Sequence, residues 1–156
     1  MCQPTGARPV SLQARFETLA ARKEKTPLSE LDALFDALPP VEEAFMIGEW
    51  DGGVFNTGHP GEGQLEAMRW IGKTFRSRND VDPIVSRDAG GSRVANPIMG
   101  TASLRRVEYR GVVTATMCYD KHPVFDHFRQ VDEHSVLGVM DRKGDTMPLY
   151  FYLRRA

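Results

Sequence analysis

The sequence lacks the positive charge excess that nucleic-acid binding needs. Its 156 residues carry 20 lysines and arginines against 21 acidic residues, so the formal net charge is −1. A nucleic-acid interface requires clustered basic side chains that neutralise phosphates. The basic doublets Arg105-Arg106 and Arg154-Arg155 stand in a chain with interleaved acidic residues. We therefore expect no nucleic-acid partner.

Cysteines and long apolar runs are also scarce. Cys2 stands in the N-terminal tail and Cys118 in an apolar segment, so we expect no disulfide framework and a reducing compartment. Cys118 has the pattern of a small core residue. The tail holds no apolar core of a signal peptide, and no window reaches the roughly 20 apolar residues of a membrane span. The sequence predicts a cytoplasmic protein without a membrane partner.

Metal ligands and nucleophile motifs are few as well. The four histidines (His59, His122, His127 and His134) form no tight helical pair, and no cysteine cluster accompanies them. We therefore predict no metal site and no cofactor. No Gly-x-Ser-x-Gly elbow occurs. The glycine-rich stretch 56–63 lacks the Gly-Lys-Ser/Thr ending of a phosphate-binding loop.

The first recognisable structure in the sequence is helical. Length and an apolar fraction of 41% predict a single globular domain over residues 11–156, after a disordered lead at 1–10. Ser11 can cap a helix over residues 12–24. Thr26-Pro27 begins a second helix, which Pro39-Pro40 ends. Residues 11–40 are therefore predicted to be helical and 44–156 mostly β, with the apolar helix faces packed on a sheet.

The chain changes character at Gly48-Glu49-Trp50-Asp51-Gly52. A large aromatic stands between glycines that suit a bend at a barrel corner, which predicts the first strand, with Trp50 closing one end of a barrel. Further on, Leu65, Met68, Ile71 and Phe75 have helical spacing, so we predict a helix over 64–75. Residues 76–93 are polar, with one short strand at most around 84–85.

From residue 94 onward, runs of Val, Thr and aromatic residues predict strands joined by short links. The predicted strands are 93–99, 102–110, 112–120, 124–132, 135–141 and 148–154. Short links between consecutive strands indicate an antiparallel meander. The predicted fold is mainly β (α+β): a small antiparallel barrel or strongly curled sheet, with two N-terminal helices and one short helix after the Gly-x-Trp-x-Gly strand.

The predicted strand 124–132 carries the most informative side chains. Alternation places Asp126 and Phe128 on one face and His127 and Arg129 on the other. Polar and aromatic side chains occur on both faces, which is typical of a wall that lines a ligand cavity. The alternative is that Arg129 pairs with Asp126 or Asp132 and only holds the strand in place.

These residues resemble a known family. The pattern Gly-x-Trp-x-Gly at 48–52 is that of the GXWXG-domain proteins, in which a second domain of unknown function follows the motif half. The second half is similar to that domain in segments that occur in the same order: 109–111, 117–120, 126–129, 131–132, 137–141, 143–144 and 150–153. The resemblance covers roughly residues 27–156 and implies no activity. A Gly-x-Trp opening is also similar to that of lipocalins and other calycin barrels, where the Trp seals one end and the cavity holds an apolar ligand.

Three functional hypotheses follow. The first is a protein that binds a hydrophobic, lipid-like small molecule in an internal cavity, with Arg129 or His127 anchoring a polar group; haem bound by a histidine is a variant. The predicted ligand contacts are Trp50, Met117, Tyr119, Phe128 and Arg129. The second is an enzyme in the same cavity, with His127 as general base and Asp126, Asp120 or Arg129 assisting. The third is an interaction module that forms a homodimer through an exposed sheet face.

Overall fold

Two N-terminal helices begin the part of the chain that the computed structural model describes, residues 10–156. The predicted lead at 1–10 therefore lies outside the described residues, apart from Val10. Helix α1 spans Leu12–Ala21, and the Ser11 hydroxyl accepts a hydrogen bond from the Ala14 N–H at 3.1 Å, as a cap should. Helix α2 spans Leu28–Ala37 and ends before Pro39-Pro40 as predicted. Its N-cap position is Pro27 rather than Thr26.

Two further helices, nine strands and one 3-10 turn at Pro97–Met99 follow within the described residues. The helices are α3 (Glu43–Met46) and α4 (Pro60–Ala67). The strands are β1 (Gly48–Val54), β2 (Gly72–Ser77), β3 (Asp80–Arg87), β4 (Arg93–Ala95), β5 (Ala102–Tyr109), β6 (Val112–Tyr119), β7 (Val124–Gln130), β8 (Ser135–Arg142) and β9 (Leu149–Arg155). The helices in residues 10–156 are all too short or too polar to cross a membrane.

Eight of the strands close into an antiparallel barrel, which confirms the predicted fold class. The order β2-β1-β9-β8-β7-β6-β5-β3 returns to its start because β2 also pairs with β3. Strand β4 pairs with β3 beside this ring. Closure between β5 and β3 is narrow: Val81 pairs with Ala102, and the Leu104 N–H donates to the Arg78 carbonyl at 2.7 Å.

The predicted short helix after the Gly-x-Trp-x-Gly strand is present, but its predicted bounds, 64–75, were wrong. The helix is α4, at 60–67, and the second half of the predicted segment is strand β2. Arg69 has φ 54° and Gly72 φ 159°, and neither value continues a right-handed helix. The apolar residues that suggested one helical face therefore belong to two elements, since Leu65 lies on α4 and Phe75 on β2.

The barrel wall separates two apolar cores. The inner core fills the barrel and contains Met46, Trp50, Phe75, Leu104, Met117, Phe128, Phe151 and Leu153, among others. The outer core lies between the wall and α1 and α2, and it contains Phe16, Leu31, Leu34, Phe35, Leu137, Val139 and Tyr150, among others. Strands β7, β8 and β9 therefore bury both faces, which explains why their sequences do not alternate cleanly between apolar and polar residues.

Candidate functional site

An apolar cavity of about 370 Å³ lies between α4 and one end of the barrel. Helix α4 supplies one wall, the 3-10 turn a second, and the barrel strands the remainder. Its lining includes Leu65 and Met68 near α4, Ile84, Ile98, Met99, Tyr119, Val124, Met140, Arg142 and Leu149. The volume falls in the range of small-molecule sites in proteins, roughly 300–1,000 Å³.

Trp50 lies at the opposite end of the barrel from this cavity. Strand β9 runs from Leu149, which lines the cavity, to Arg155, whose guanidinium lies 4.2 Å from the Trp50 ring centroid. The indole is fully buried and donates to the Met46 carbonyl at 2.8 Å. Trp50 and Arg155 therefore fill one end of the barrel, and the cavity opens at the other.

A buried ion pair lies in the barrel interior. Lys73 is on β2 and Asp126 on β7, and the Lys73 Nζ lies 3.1 Å from the Asp126 Oδ2. Each side chain is 3% exposed. The Lys73 Nζ also donates to the Pro83 carbonyl at 3.1 Å. The second oxygen, Asp126 Oδ1, is buried and has no hydrogen-bond partner among the described residues.

The ion pair adjoins the apolar cavity. Lys73 and Asp126 line a small cavity of about 20 Å³, four of whose walls also line the larger one. The shared side chains are Leu65, Tyr119, Met140 and Leu149. The Lys73 Nζ lies 5.3–5.8 Å from the ring centroids of Trp70, Tyr119 and Phe151. The two charges therefore stand behind an apolar cavity, inside a ring of aromatic side chains.

The low-dielectric surroundings push both members of the pair toward their neutral forms. Burial lowers the pKa of Lys73, against the attraction of Asp126. Burial likewise raises the pKa of Asp126, against the attraction of Lys73. Burial also raises the pKa of Tyr119 well above its ordinary value, so its hydroxyl keeps its proton. For each group burial has the larger effect on the pKa, and the opposite charge of the partner has the smaller, opposing effect.

Four of the five predicted ligand contacts point into the barrel. Tyr119 lines both cavities. Met117 and Phe128 are fully buried in the inner core, and Trp50 fills the far end. Of these four, Tyr119 alone lines the larger cavity, so direct ligand contact remains a prediction for the other three.

Arg129 does not fit its predicted role as a ligand anchor in the barrel. It follows Phe128 on β7 and so points to the outer face, under α2. Its Nη1 donates to the carbonyls of Phe35 at 2.9 Å and Leu38 at 2.8 Å, and its guanidinium stacks on the Phe35 ring at 4.5 Å. Arg129 therefore supplies a side-chain donor to the carbonyl end of α2, where the Leu38 N–H is a second donor to the Phe35 carbonyl at 3.3 Å.

The three predicted catalytic candidates lie in three different places. Asp126 is inside the barrel. His127 lies on the outer face, stacked on the Tyr109 ring at 4.2 Å, with its Nδ1 2.9 Å from the Thr116 hydroxyl. Its Nε2 is 3.6 Å from Asp141, too far for a hydrogen bond. Asp120 is exposed and accepts hydrogen bonds from the hydroxyls of Thr101 and Ser103.

The structure brings no metal-binding cluster together within residues 10–156. His59 has a structural role: its Nδ1 accepts from the Gly61 N–H at 2.8 Å, and its Nε2 lies 3.1 Å from Asp145. It therefore caps α4, one wall of the cavity, and ties that helix to the turn between β8 and β9.

Sequence reasoning missed Lys73, the partner of Asp126. The helix predicted over 64–75 concealed it. On strand β2, Lys73 shares a face with buried Phe75. A lysine on a buried face indicates a paired charge, because lysine is almost never fully buried without a partner. Its pairing with Asp126 depends on barrel closure, which no local pattern reveals.

Comparison with known proteins agrees with this architecture. Residues 33–91 match the model of the GXWXG protein family, and residues 100–155 match a domain of unknown function (DUF4334). The crystal structure of a protein from Thermomonospora curvata is 40% identical with a TM-score of 0.87, and the alignment covers 93% of this chain and 98% of that chain. The chain belongs to the GXWXG family. No curated protein matched it.

The two glycines of the GXWXG motif are required for different reasons, the backbone angle at Gly48 and the close packing at Gly52. Gly48 has φ 132°, a value that L residues with a side chain rarely adopt. A Cβ at Gly52 would lie 2.2 Å from the Trp70 ring. The motif therefore places Trp50 at one barrel end and lets Trp70 pack against the first strand near the ion pair. The motif residues therefore have a structural role in the barrel, whereas the buried ion pair is formed by Lys73 and Asp126, outside the motif.

Proposed function

We propose that this protein binds an apolar small molecule in the cavity between α4 and the barrel end. The observation that carries the proposal is the cavity of about 370 Å³ with a predominantly apolar lining in a barrel plugged at its far end. Apolar lining with few polar groups is the usual composition of a small-molecule site. Ile98 at the cavity is 61% exposed, which suits an entrance at the 3-10 turn.

The test is a fluorescence titration with N-phenyl-1-naphthylamine, an apolar dye that brightens on leaving water. We expect saturable binding by the wild-type protein. Ala67→Trp places an indole at the cavity wall. It should lower the affinity for the dye at least about tenfold, because the indole occupies the volume that the dye needs. Glu66→Trp is the matched control, since Glu66 is also an exposed α4 residue but does not line this cavity.

Native mass spectrometry of gently purified protein provides a second readout. Extra mass of a bound molecule that is displaced by the dye would support the proposal. No saturable dye binding together with a clean mass of the chain alone would refute it. Equal weakening by Ala67→Trp and Glu66→Trp would place the dye elsewhere.

The two other hypotheses have less geometric support. His127, Asp126 and Asp120 do not converge, so the enzyme hypothesis in its original form lacks a common site. For the homodimer hypothesis, the barrel pairs both edges of eight strands, and among the described strands β4, three residues long, has an unpaired edge. Light scattering measures the oligomeric state directly.

A further inference from the structure

We propose that Lys73 and Asp126 form a polar subsite that selects an apolar ligand carrying a hydroxyl group; the inference rests on the proposed function. The subsite stands behind the apolar cavity and shares four of its walls. A ligand that enters with its hydroxyl end first would bring that group to the ion pair and leave its apolar remainder among the lining of α4 and the barrel end.

The hydrogen-bonding capacity of the pair determines the class of ligand. Two of the three ammonium hydrogens of Lys73 are directed to Asp126 Oδ2 and the Pro83 carbonyl, each at 3.1 Å. The third has no oxygen partner among residues 10–156. On the other side of the pair, Asp126 Oδ1 is a buried acceptor without a donor in the described part of the chain. The subsite therefore offers one donor and one acceptor, which is what a hydroxyl group requires.

Other polar head groups fit less well. An ether oxygen can accept from Lys73 but gives nothing to Asp126 Oδ1, which stays buried and unsatisfied. A carboxylate would add a second negative charge beside Asp126. The Lys73 ammonium can balance only one of the two negative charges, and an uncompensated buried charge is costly. The preference for a hydroxyl group thus comes from Asp126 Oδ1, the buried acceptor that an ether or a carboxylate leaves without a donor.

Competition against N-phenyl-1-naphthylamine with wild-type protein tests the proposal. The competitors are 1-octanol, 1-methoxyheptane, which has the same number of non-hydrogen atoms, and octanoate. We expect 1-octanol to displace the dye at a concentration about tenfold lower than the ether, because a hydrogen bond to a charged group adds roughly that factor. Octanoate should be the weakest competitor.

The outcomes separate the two proposals. If the dye does not bind at all, the proposed function fails. If the dye binds and the alcohol and the ether compete equally, the apolar site stands and the hydroxyl subsite is overturned. Preference for octanoate would also overturn it, since the pair would then act as a carboxylate site.

A double variant tests the role of the pair itself. Lys73→Met with Asp126→Leu replaces both charges by apolar groups, a change that proteins often tolerate, whereas removal of one partner leaves a buried charge alone. The variant should bind the dye and lose the discrimination between alcohol and ether. A retained tenfold preference in folded variant protein would overturn the assignment. If the variant does not fold, the wild-type series decides the question.

Discussion

At the scale of single residues, neighbouring side chains of strand β7 lie on opposite faces of the barrel wall. On β7, Asp126 and Phe128 point into the barrel, whereas His127 points outward against Tyr109 and Arg129 points outward beneath α2. The alternation was evident in the sequence, and it placed these pairs on different faces. Which face would be the interior was not evident, because a second core covers the outside. Two of the predicted site residues therefore contact the outer core, His127 through Tyr109 and Arg129 through Phe35.

Gly52 is the residue at which the family motif can be tested for a purely structural role. Gly52→Ala would place a methyl group 2.2 Å from the Trp70 ring, so the ring must move. We expect a loss of about 1–3 kcal/mol in the free energy of unfolding, measured by urea titration. The control is Gly63→Ala in α4, where a Cβ meets nothing within 4 Å. That variant should be neutral or slightly more stable, since alanine favours helix. Equal stabilities would disprove the packing role.

His127 should make stability depend on pH. Burial lowers the pKa of His127, and the attraction of Asp141 only partly opposes this effect. As the pH falls, His127 therefore takes up a proton near pH 6.5 in the unfolded chain but only at a lower pH in the folded protein. Stability is fully present above about pH 6.5 and falls with decreasing pH, by at most about 1.4 kcal/mol per pH unit. His127→Gln should flatten urea-midpoint profiles between pH 5 and 7. An unchanged slope would assign the titration to another group.

At the scale of elements, strand β7 connects the barrel to helix α2. Arg129 is the link, because it donates to two carbonyls at the end of the helix. Arg129→Met would leave those carbonyls without this donor, at a cost of about 1–3 kcal/mol. Urea titration should show this loss, and hydrogen exchange should quicken in α2. The control Arg106→Met, at an exposed position, should change stability by no more than about 0.5 kcal/mol. Unaltered exchange in α2 would show that its packing on the outer core suffices.

The sequence predicted some elements well and others poorly, for physical reasons. Strands β5 to β9 were predicted close to their observed bounds, because runs of β-branched and aromatic residues alternate with clear turns. Strand β2 was missed because Leu65 to Phe75 combine a helix and a strand into an apparent helical period. The cavity and the Lys73–Asp126 pair could not be predicted, since both arise from strands that meet only when the barrel closes.

At the scale of the whole molecule, two family segments build one barrel. The first contributes β1 to β3 and the second β5 to β9, and the inner core takes Trp50 and Phe75 from one and Met117 and Phe128 from the other. Neither segment supplies all eight strands of this ring. The ring is completed by β1 with β9 and by β3 with β5.

This shared core predicts a single unfolding transition. Both tryptophans of the chain, Trp50 and Trp70, lie in the first segment, whereas all four tyrosines, at 109, 119, 150 and 152, lie in the second. Tryptophan fluorescence and tyrosine absorbance therefore report separately on the two segments. We expect their urea transitions to coincide, as two-state unfolding requires. Separate midpoints would mean that the segments fold independently.

The narrow β3–β5 closure has a practical consequence for anyone who divides this chain. The boundary between the two family segments, residues 92–99, falls at that closure. Cutting there looks safe from sequence but would split the barrel wall and leave β1, β3, β5 and β9 each with an unpaired edge. Such edges pair readily with other chains and cause aggregation. The smallest piece that keeps the wall intact must contain both segments.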